Sequence, residues 1–356
     1  MGSSGSKSSP AYVHTNAIIY TNAIIYTTTT TTKPRTYITD FLYDLCFFLL
    51  ELDKPFRKFN WNQKEALKKK LEDFTLGNPE VKKINILVAG QIGAGKSSFI
   101  NSIDSAFQGR ICSRALVNSS DGDSRSFTKT LKGFTIRSGE KSLPFVFKDV
   151  MGLEPDNLAG SQIEDIINIV LGHVKDGYEF KEKQTLSFKD QHFNMNPTLS
   201  DQASCLVYVI AADTVQFTDD KLITKLKCIR ERISAEGIPQ VVIMTKVDEA
   251  CPLVKNNLRK IYTSKKIKEK MDLCNTKIGL PLSNIFPVKN YHDEIDTEDD
   301  VDALILKAIE QIVQIANDKL VDVMEDEMKK KEEKKEKEDK MKKMEDAMKK
   351  THIQYC

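Results

Sequence analysis

The chain has 356 residues and a mass of 40.3 kDa, which allows two average domains or one large domain with appendages. Its 53 basic and 51 acidic residues nearly cancel, so the charge gives no indication of nucleic acid as a partner. The seven cysteines include no C-x-x-C pair, which argues against a disulfide framework or a structural zinc site, and no apolar run reaches the ~18 residues of a membrane span.

Residues 1–52 differ from the rest of the chain. They contain a Gly/Ser-rich start, the repeated hexapeptide TNAIIY and six consecutive threonines, with no helical or strand periodicity. We therefore expect a low-complexity, disordered segment. Its first six residues fit the pattern M-G-x-x-x-[ST], so N-myristoylation of Gly2 is one interpretation and a chance Gly/Ser run is the other.

Residues 53–317 alternate between apolar strand patterns and helical patterns, which predicts one α/β domain with a mainly parallel sheet and helices on both faces. Residues 175–203 have no clear period and are expected to form a loop. The expected strands are 83–89, 131–137, 144–150, 205–211, 240–245 and 284–288. The expected helices are 97–107, 162–174, 218–235, 254–274 and 300–317.

Residues 318–356 form a third segment, a charged tail. Within 325–350, acidic residues repeatedly precede lysines by four positions, which favours a long solvated helix. A short stripe of Met341, Met344 and Met348 has coiled-coil spacing, but 329–340 has no apolar residue in any heptad position. A single charged helix and a coiled coil are therefore both retained, and the single helix is favoured.

The most specific motif is GQIGAGKS at residues 90–97, which fills every fixed position of the P-loop pattern G-x-x-x-x-G-K-[ST]. It follows a predicted strand and opens a predicted helix, as phosphate binding at a helix N-terminus requires. Lys96 is expected to reach the β- and γ-phosphates, and the Ser97 hydroxyl to bind Mg²⁺. The predicted phosphate-binding residues are Gly90, Gly93, Ala94, Gly95, Lys96, Ser97, Ser98 and Gly152.

The base is predicted from TKVD at residues 245–248, directly after the fifth strand. A carboxylate at Asp248 can accept hydrogen bonds from N1 and N2 of guanine, and adenine lacks that pair of donors. Lys246 would lay its aliphatic stem along the base. The loop after the last strand, Val288-Lys289-Asn290, is expected to present a backbone N–H to guanine O6. The guanine-binding residues are predicted to be Thr245, Lys246, Asp248, Val288 and Lys289.

The sequence DVMG at residues 149–152 fits D-x-x-G at the end of a strand. Asp149 is expected to hold Mg²⁺ through water, while the Gly152 N–H meets the γ-phosphate. A further Mg²⁺ ligand is expected from Thr128 or Thr130, with Thr128 preferred. The predicted metal site is thus Ser97, Asp149 and Thr128, and the predicted cofactors are GTP or GDP with Mg²⁺.

Two substitutions predict slow or absent GTP hydrolysis. Leu153 follows the D-x-x-G motif, where Ras-type GTPases have a glutamine that orients the attacking water. Ile92 stands where Ras-like proteins have a glycine, so an arginine from a partner would be crowded. No catalytic residue is assigned, and whether the chain is an enzyme stays open.

The sequences PFRKFNWN at 55–62, GQIGAGKSSFINSIDSAFQGRI at 90–111 and LPF at 143–145 leading into DVMGL at 149–153 resemble the interferon-induced protein 44 family, including its 44-like members. The resemblance runs from about Pro55 to Asn317. It implies a P-loop GTPase-like fold and a cytoplasmic protein of the interferon-induced antiviral and innate immune response. Longer members carry an N-terminal TLDc domain, which this chain is expected to lack.

Two functions are compatible with these observations. The first is a guanine-nucleotide switch that binds GTP with Mg²⁺, and the intact Lys96, Ser97, Asp149 and Asp248 favour it. The second is an interaction or scaffold protein in which the nucleotide is structural or vestigial, and Leu153 favours it. Protein partners or self-association are expected in either case, whereas nucleic acid and a transmembrane segment are not.

Overall fold

The computed structural model describes residues 50–115, 128–155, 161–181 and 184–353, without the side chains of 161, 162 and 345–353. The chain divides into two compact units, residues 1–54 and 55–356. The expectations for the N-terminal repeat, the threonine run and Gly2 concern residues outside the described ranges. The fold below is that of the second unit.

The second unit is built on a six-stranded sheet with the order β2-β3-β1-β4-β5-β6. The pairs β1–β3, β1–β4, β4–β5 and β5–β6 are parallel, and β2–β3 is antiparallel. The strands are β1 (Ile84–Gly90), β2 (Lys132–Ser138), β3 (Lys141–Asp149), β4 (Cys205–Ala211), β5 (Gln240–Thr245) and β6 (Ile285–Pro287). The prediction of a mainly parallel sheet is confirmed, with one antiparallel edge.

Helices cover both faces of the sheet. One face is covered by α1, α2 and α8, with α8 contacting both of the others, while α3, α4 and α7 lie on the other face, with α4 contacting both neighbours. The helices are α1 (Lys64–Glu72), α2 (Lys96–Gln108), α3 (Ser161–Val170), α4 (Asp220–Ala235), α5 (Val247–Ala250), α6 (Pro252–Asn256), α7 (Lys265–Ile278) and α8 (Asp299–Ile353).

The strand core is buried on both faces, as the near-continuous apolar runs in the sequence require. Along β1, Ile84, Ile86 and Val88 pack into the cluster that includes α2 and α8. The intervening Leu87 and Ala89 are fully buried outside that cluster. This alternation follows from the two-residue period of a strand.

Two predicted helices differ from those observed. The expected helix 254–274 is three pieces, α6, a 3₁₀ turn at Leu258–Tyr262, and α7. The break occurs because Asn257 is extended (φ −151°) and accepts a hydrogen bond from Arg259 N, while Ser264 caps α7 by accepting from Ile267 N. The expected helix 162–174 ends at Val170, just before Gly172, whose φ of +82° terminates it.

Helix α8 joins two elements that the sequence analysis separated. The expected helices 300–317 and 325–350 are one 55-residue helix with no break at the predicted boundary between 317 and 318. Its first part is buried as far as Leu320, and the described side chains from Glu325 onward are exposed. The division into a domain at 53–317 and a separate tail at 318–356 stays a prediction. No helix in the described ranges has the length and hydropathy needed to cross a bilayer.

Candidate nucleotide-binding site

The predicted site residues gather at one edge of the sheet. The P-loop follows β1, Asp149 ends β3, the TKVD motif follows β5 and Val288 follows β6. Because these strands are parallel, their carboxyl ends meet at the same edge, which is where ligands bind in open α/β sheets.

The P-loop has the backbone that phosphate binding needs. Gly90, Gly93 and Gly95 have φ values of +154°, +74° and +88°, a region that favours glycine. A Cβ at Gly90 would also lie 2.2 Å from Val209 O. Helix α2 begins at Lys96 with no side-chain cap on its N-terminal amides. The amides of its first turn, including Ser97 and Ser98, are therefore available to an anion.

Lys96 is buried, with 7 % of its surface exposed, and its Nζ donates to Gly90 O and Gln91 O at 3.2 Å each. Burial lowers the pKa of this ammonium, and the nearby Asp149 carboxylate opposes that shift. A buried ammonium held over the P-loop by two carbonyls is well placed to exchange those partners for phosphate oxygens.

The three predicted metal ligands lie together. Ser97 Oγ donates to Asp149 Oδ2 at 2.7 Å, and Thr128 Oγ1 donates to the same oxygen at 3.2 Å. Asp149 is buried and its Oδ1 has no hydrogen-bond partner. Burial raises the pKa of Asp149, while Lys96 and the two hydroxyls lower it. The alternative Thr130 instead pairs in a bridge with Glu179.

This set of oxygens fits Mg²⁺. Two hydroxyls and one carboxylate are hard ligands of the kind Mg²⁺ binds together with phosphate oxygens and water. Throughout the part of the chain that the structure describes, no three His, Cys, Asp or Glu side chains cluster as a metal site. A cation here would therefore depend on Ser97, Thr128 and Asp149 and on the phosphates of its nucleotide.

The TKVD motif is tied to the P-loop. Thr245 is fully buried, and its Oγ1 donates to Ala94 O at 2.6 Å, so its side chain fixes the P-loop rather than facing solvent. Lys246 has a φ of +55°, the only positive φ of a non-glycine residue in the described ranges. Asp248 is half-buried in the short helix α5. Burial lowers the pKa of the Lys289 ammonium, but Glu294, Glu298 and, more weakly, Asp248 raise it above its usual value.

The base loop is held from three sides. Val288 N donates to Met244 O at 2.8 Å, and Tyr291 N donates to Ser102 Oγ on α2 at 2.9 Å. Lys289 Nζ lies 2.7 Å from Glu294 and 3.7 Å from Glu298. Its side chain is thus paired with acidic residues, and its backbone is the part available to a base.

The D-x-x-G segment is packed against the P-loop. Leu153 N donates to Gly90 O at 3.0 Å, and Ile92 N donates to Leu153 O at 3.4 Å. A Cβ on Gly152 would lie 2.5 Å from Ile92 Cγ1, so only glycine permits this approach. The Leu153 side chain is 1 % exposed. It is therefore packed in the interior, whereas the comparison with Ras-type glutamine implied a side chain beside the attacking water.

Two side-chain contacts at this site escaped the sequence analysis, which placed Asn290 in the base loop but gave its side chain no role. Asn290 Nδ2 donates to Gly95 O at 3.1 Å, which links the base loop to the P-loop. Lys225 on α4 is buried, and its Nζ donates to Glu154 O at 2.6 Å, directly after the D-x-x-G segment. A signal for Lys225 was present, because it lies on the apolar stripe of its helix among Leu222, Leu226 and Ile229.

The sheet order, the P-loop between β1 and α2, and the motifs at the carboxyl edge define a P-loop GTPase fold. The structure of Toc33 from Arabidopsis thaliana in complex with Mg²⁺ and GMPPNP is similar, at 16 % sequence identity and a TM-score of 0.42, covering 73 % of this chain and 97 % of that one. No family model matches the sequence.

Curated relatives identify the family. Human interferon-induced protein 44-like and human interferon-induced protein 44 are each 32 % identical to this chain over 245 residues, 68 % of this chain. The chain belongs to the interferon-induced protein 44 and 44-like family. The alignment spans about half the length of these relatives, 54 % in each case.

Proposed function

We propose that the chain binds GTP and GDP with Mg²⁺ and acts as a guanine-nucleotide switch. The observation that carries this proposal is the convergence of Ser97, Thr128 and Asp149 beside Lys96 at the P-loop. The same P-loop is joined to the base motif through the Thr245–Ala94 hydrogen bond. Phosphate, metal and base recognition are thus supported by one connected set of contacts.

Guanine selectivity rests on Asp248. With calorimetry on the full chain, we expect Mg²⁺-GDP to bind at least about 100-fold more tightly than Mg²⁺-ADP, because adenine would leave the carboxylate unpaired. Equal affinity for the two nucleotides would contradict guanine selectivity.

Two variants separate base recognition from phosphate recognition. Asp248→Asn replaces a hydrogen-bond acceptor with a donor at the base. The variant should therefore lose affinity for GDP and gain affinity for xanthosine diphosphate, which has an oxygen in place of the 2-amino group. Lys96→Ala should weaken the binding of GDP, ADP and xanthosine diphosphate by similar factors. Asp272→Asn, an exposed carboxylate on α7, is the matched control and should change none of them.

Hydrolysis is proposed to be slow or absent. Ile92 packs against Gly152, and Leu153 is buried, so neither residue can orient a water molecule beside the γ-phosphate. A single-turnover assay of the full chain should give a rate at or below ~10⁻³ s⁻¹, the value of an unassisted Ras-type switch. A rate above about 1 s⁻¹ without a partner would refute this.

The cellular role follows from the family. We propose that the protein acts in the cytoplasm in the interferon-induced antiviral response, with protein partners or self-association. The measurement is its expression after interferon treatment and the location of the tagged protein in the same cells. Expression that does not respond to interferon, or a protein confined to another compartment, would contradict this role.

A scaffold with a structural nucleotide is the second candidate. The observation that favours it is the exposed, charged surface of α8 from Glu325 to Met344. Chromatography of the nucleotide released from denatured protein, with an exchange assay, separates the two functions. A switch exchanges labelled GDP readily, whereas a scaffold retains its nucleotide or contains none.

A further inference from the structure

Helix α4 reaches the D-x-x-G segment through one buried lysine. Lys225 is 4 % exposed, and its ammonium donates to the main-chain carbonyl of Glu154 at 2.6 Å. We propose that Lys225 is a positioning residue for the γ-phosphate: it holds the segment 152–154 against the P-loop, so that the chain discriminates GTP from GDP. This inference rests on the nucleotide binding proposed above.

The segment 152–154 is fixed at three successive residues. Gly152 packs against Ile92, and the backbone of Leu153 pairs with Gly90 and Ile92. Glu154 is the third, and its carbonyl accepts a hydrogen bond from Lys225, on a helix that belongs to neither motif. The segment that should meet the γ-phosphate is thus bound both to the P-loop and to α4.

The placement of this lysine is not explained by core packing. On α4, Lys225 lies in the stripe formed by Leu222, Leu226 and Ile229, all buried. Burial of an ammonium is unfavourable, and an apolar side chain at this position would fill the same stripe without that cost. A hydrogen bond from a charged donor to a carbonyl is stronger than one from a neutral donor, which suits a contact that must hold a loop.

Holding the loop in advance favours the triphosphate selectively. A γ-phosphate needs the Gly152 amide in a defined position, whereas GDP has no group that reaches it. If 152–154 is already fixed, GTP binding does not have to order it, and the ordering entropy is not subtracted from its affinity. The affinity for GDP should be indifferent to Lys225.

The closing experiment compares a non-hydrolysable GTP analogue with GDP, both with Mg²⁺, on the full chain and two methionine variants. Lys225→Met keeps the length of the stem and removes the donor, and Lys227→Met changes an exposed lysine of the same helix as the control. We expect Lys225→Met to lose affinity for the analogue by roughly tenfold, the effect of one charge-assisted hydrogen bond, with GDP changed less than twofold. Lys227→Met should change neither.

Each other outcome is decisive. Equal loss of both nucleotides, or loss of neither, overturns the positioning role. Wild-type protein that binds neither nucleotide overturns the proposed function and this inference with it, whereas normal GDP binding with an unchanged ratio overturns the inference alone.

If Lys225→Met does not fold, Lys225→Gln supplies a neutral donor, and the analogue-to-GDP ratio is measured on it. Amide hydrogen exchange of the 149–155 peptide gives an independent readout without nucleotide. Exchange should be slow in the wild type and faster in the Lys225 variant, and equal exchange would contradict the proposal.

Discussion

At the residue scale, the backbone and the side chain of Leu153 make different contacts. Its backbone N–H and C=O both pair with the P-loop, through Gly90 O and Ile92 N. Its side chain is 1 % exposed. The side chain that follows the D-x-x-G motif is therefore packed inside the domain. A glutamine at this position would have to bury its amide, so packing as well as the lack of a polar group separates Leu153 from the Ras-type glutamine.

The substitution Leu153→Gln tests this arrangement. We expect it to lower the free energy of unfolding by about 1–3 kcal/mol, because the amide would be buried without assigned partners. We also expect no faster single-turnover GTP hydrolysis. Urea unfolding and rapid-quench assays measure the two effects, and Leu153→Met is the control of similar volume, with a change below about 1.5 kcal/mol. A stable glutamine variant with accelerated hydrolysis would show that the side chain can reach the γ-phosphate.

Site residues that form contiguous sequence motifs could be predicted, whereas contacts between residues far apart in the chain could not. The P-loop and TKVD are contiguous motifs, so the sequence predicted both, and the structure places them at one edge of the sheet. The tethers between motifs join residues far apart in the chain: 151 positions separate Thr245 from Ala94, and 195 separate Asn290 from Gly95. No local pattern encodes a partner at that distance, which is why these contacts and Lys225–Glu154 were not predicted.

At the scale of elements, Asp165 is the contact through which α3 holds the segment that follows it. Its Oδ1 accepts from Leu186 N at 2.8 Å, and its Oδ2 accepts from the Tyr178 hydroxyl at 3.3 Å. Burial raises the pKa of Asp165 to about 6, which these two hydrogen bonds only partly offset. Glu164 nearby raises it further and Lys181 lowers it.

This raised pKa predicts a pH-dependent stability. A carboxyl whose folded pKa lies above its usual 3.8 stabilises the fold while protonated, and that contribution is lost as the pH rises through about 6. The difference in unfolding free energy between wild type and Asp165→Asn should therefore fall by about 2 kcal/mol from pH 4.5 to 7.

Urea unfolding at several pH values measures this difference, and Glu164→Gln on the same helix is the control. The Arg232 hydrogen bonds, the largest cause, lower the pKa of Glu164, so its contribution has the opposite sign and is lost as the pH falls. A wild-type-minus-Asp165→Asn difference that stays flat with pH would show that the pKa of Asp165 is unshifted, and one that rises with pH would show that it is lowered; either result would contradict this prediction.

Element type and the mainly parallel direction of the strands were predictable, and the antiparallel edge was not. The strands β1, β4 and β5 followed from apolar runs, because a strand buried on both faces has no polar alternation, whereas the edge strand β2 alternates between more exposed and buried residues. The antiparallel pairing of β2 and β3 depends on the tight turn between Ser138 and Lys141, where Gly139 has a φ of +57°. The break at Asn257 was missed because a side-chain cap interrupts an otherwise continuous helical pattern.

At the scale of the whole second unit, α8 is both part of the core and a projection from it. Its 55 residues extend about 80 Å at 1.5 Å per residue. Leu320 is 1 % exposed, its carbonyl accepts from Asn78 Nδ2, and Asn317 Oδ1 accepts from Gly77 N. From Glu325 to Met344 the side chains are exposed, so stabilising contacts with the domain end within one or two turns of Leu320.

Two truncations, compared with the full chain, locate the end of those contacts. Removing residues 325–356 should change the unfolding free energy by less than about 0.5 kcal/mol and leave GDP affinity unaltered, because the side chains described there, Glu325 to Met344, are exposed. Removing residues 317–356 also deletes the Leu320 side chain and the hydrogen bonds to Gly77 and Asn78, so it should cost at least about 3 kcal/mol.

The contrast between the two truncations makes the test specific, since both shorten the same helix and both remove the charged part. A loss of stability or of GDP affinity on removal of residues 325–356 would mean that the exposed part of α8 contacts the domain or a second copy of the chain. Sedimentation of the full chain and of the shorter form distinguishes those two cases, because only self-association changes the mass with concentration. If the variant that lacks residues 325–356 keeps its stability and its GDP affinity, that part of α8 is available to a partner, as the scaffold candidate requires.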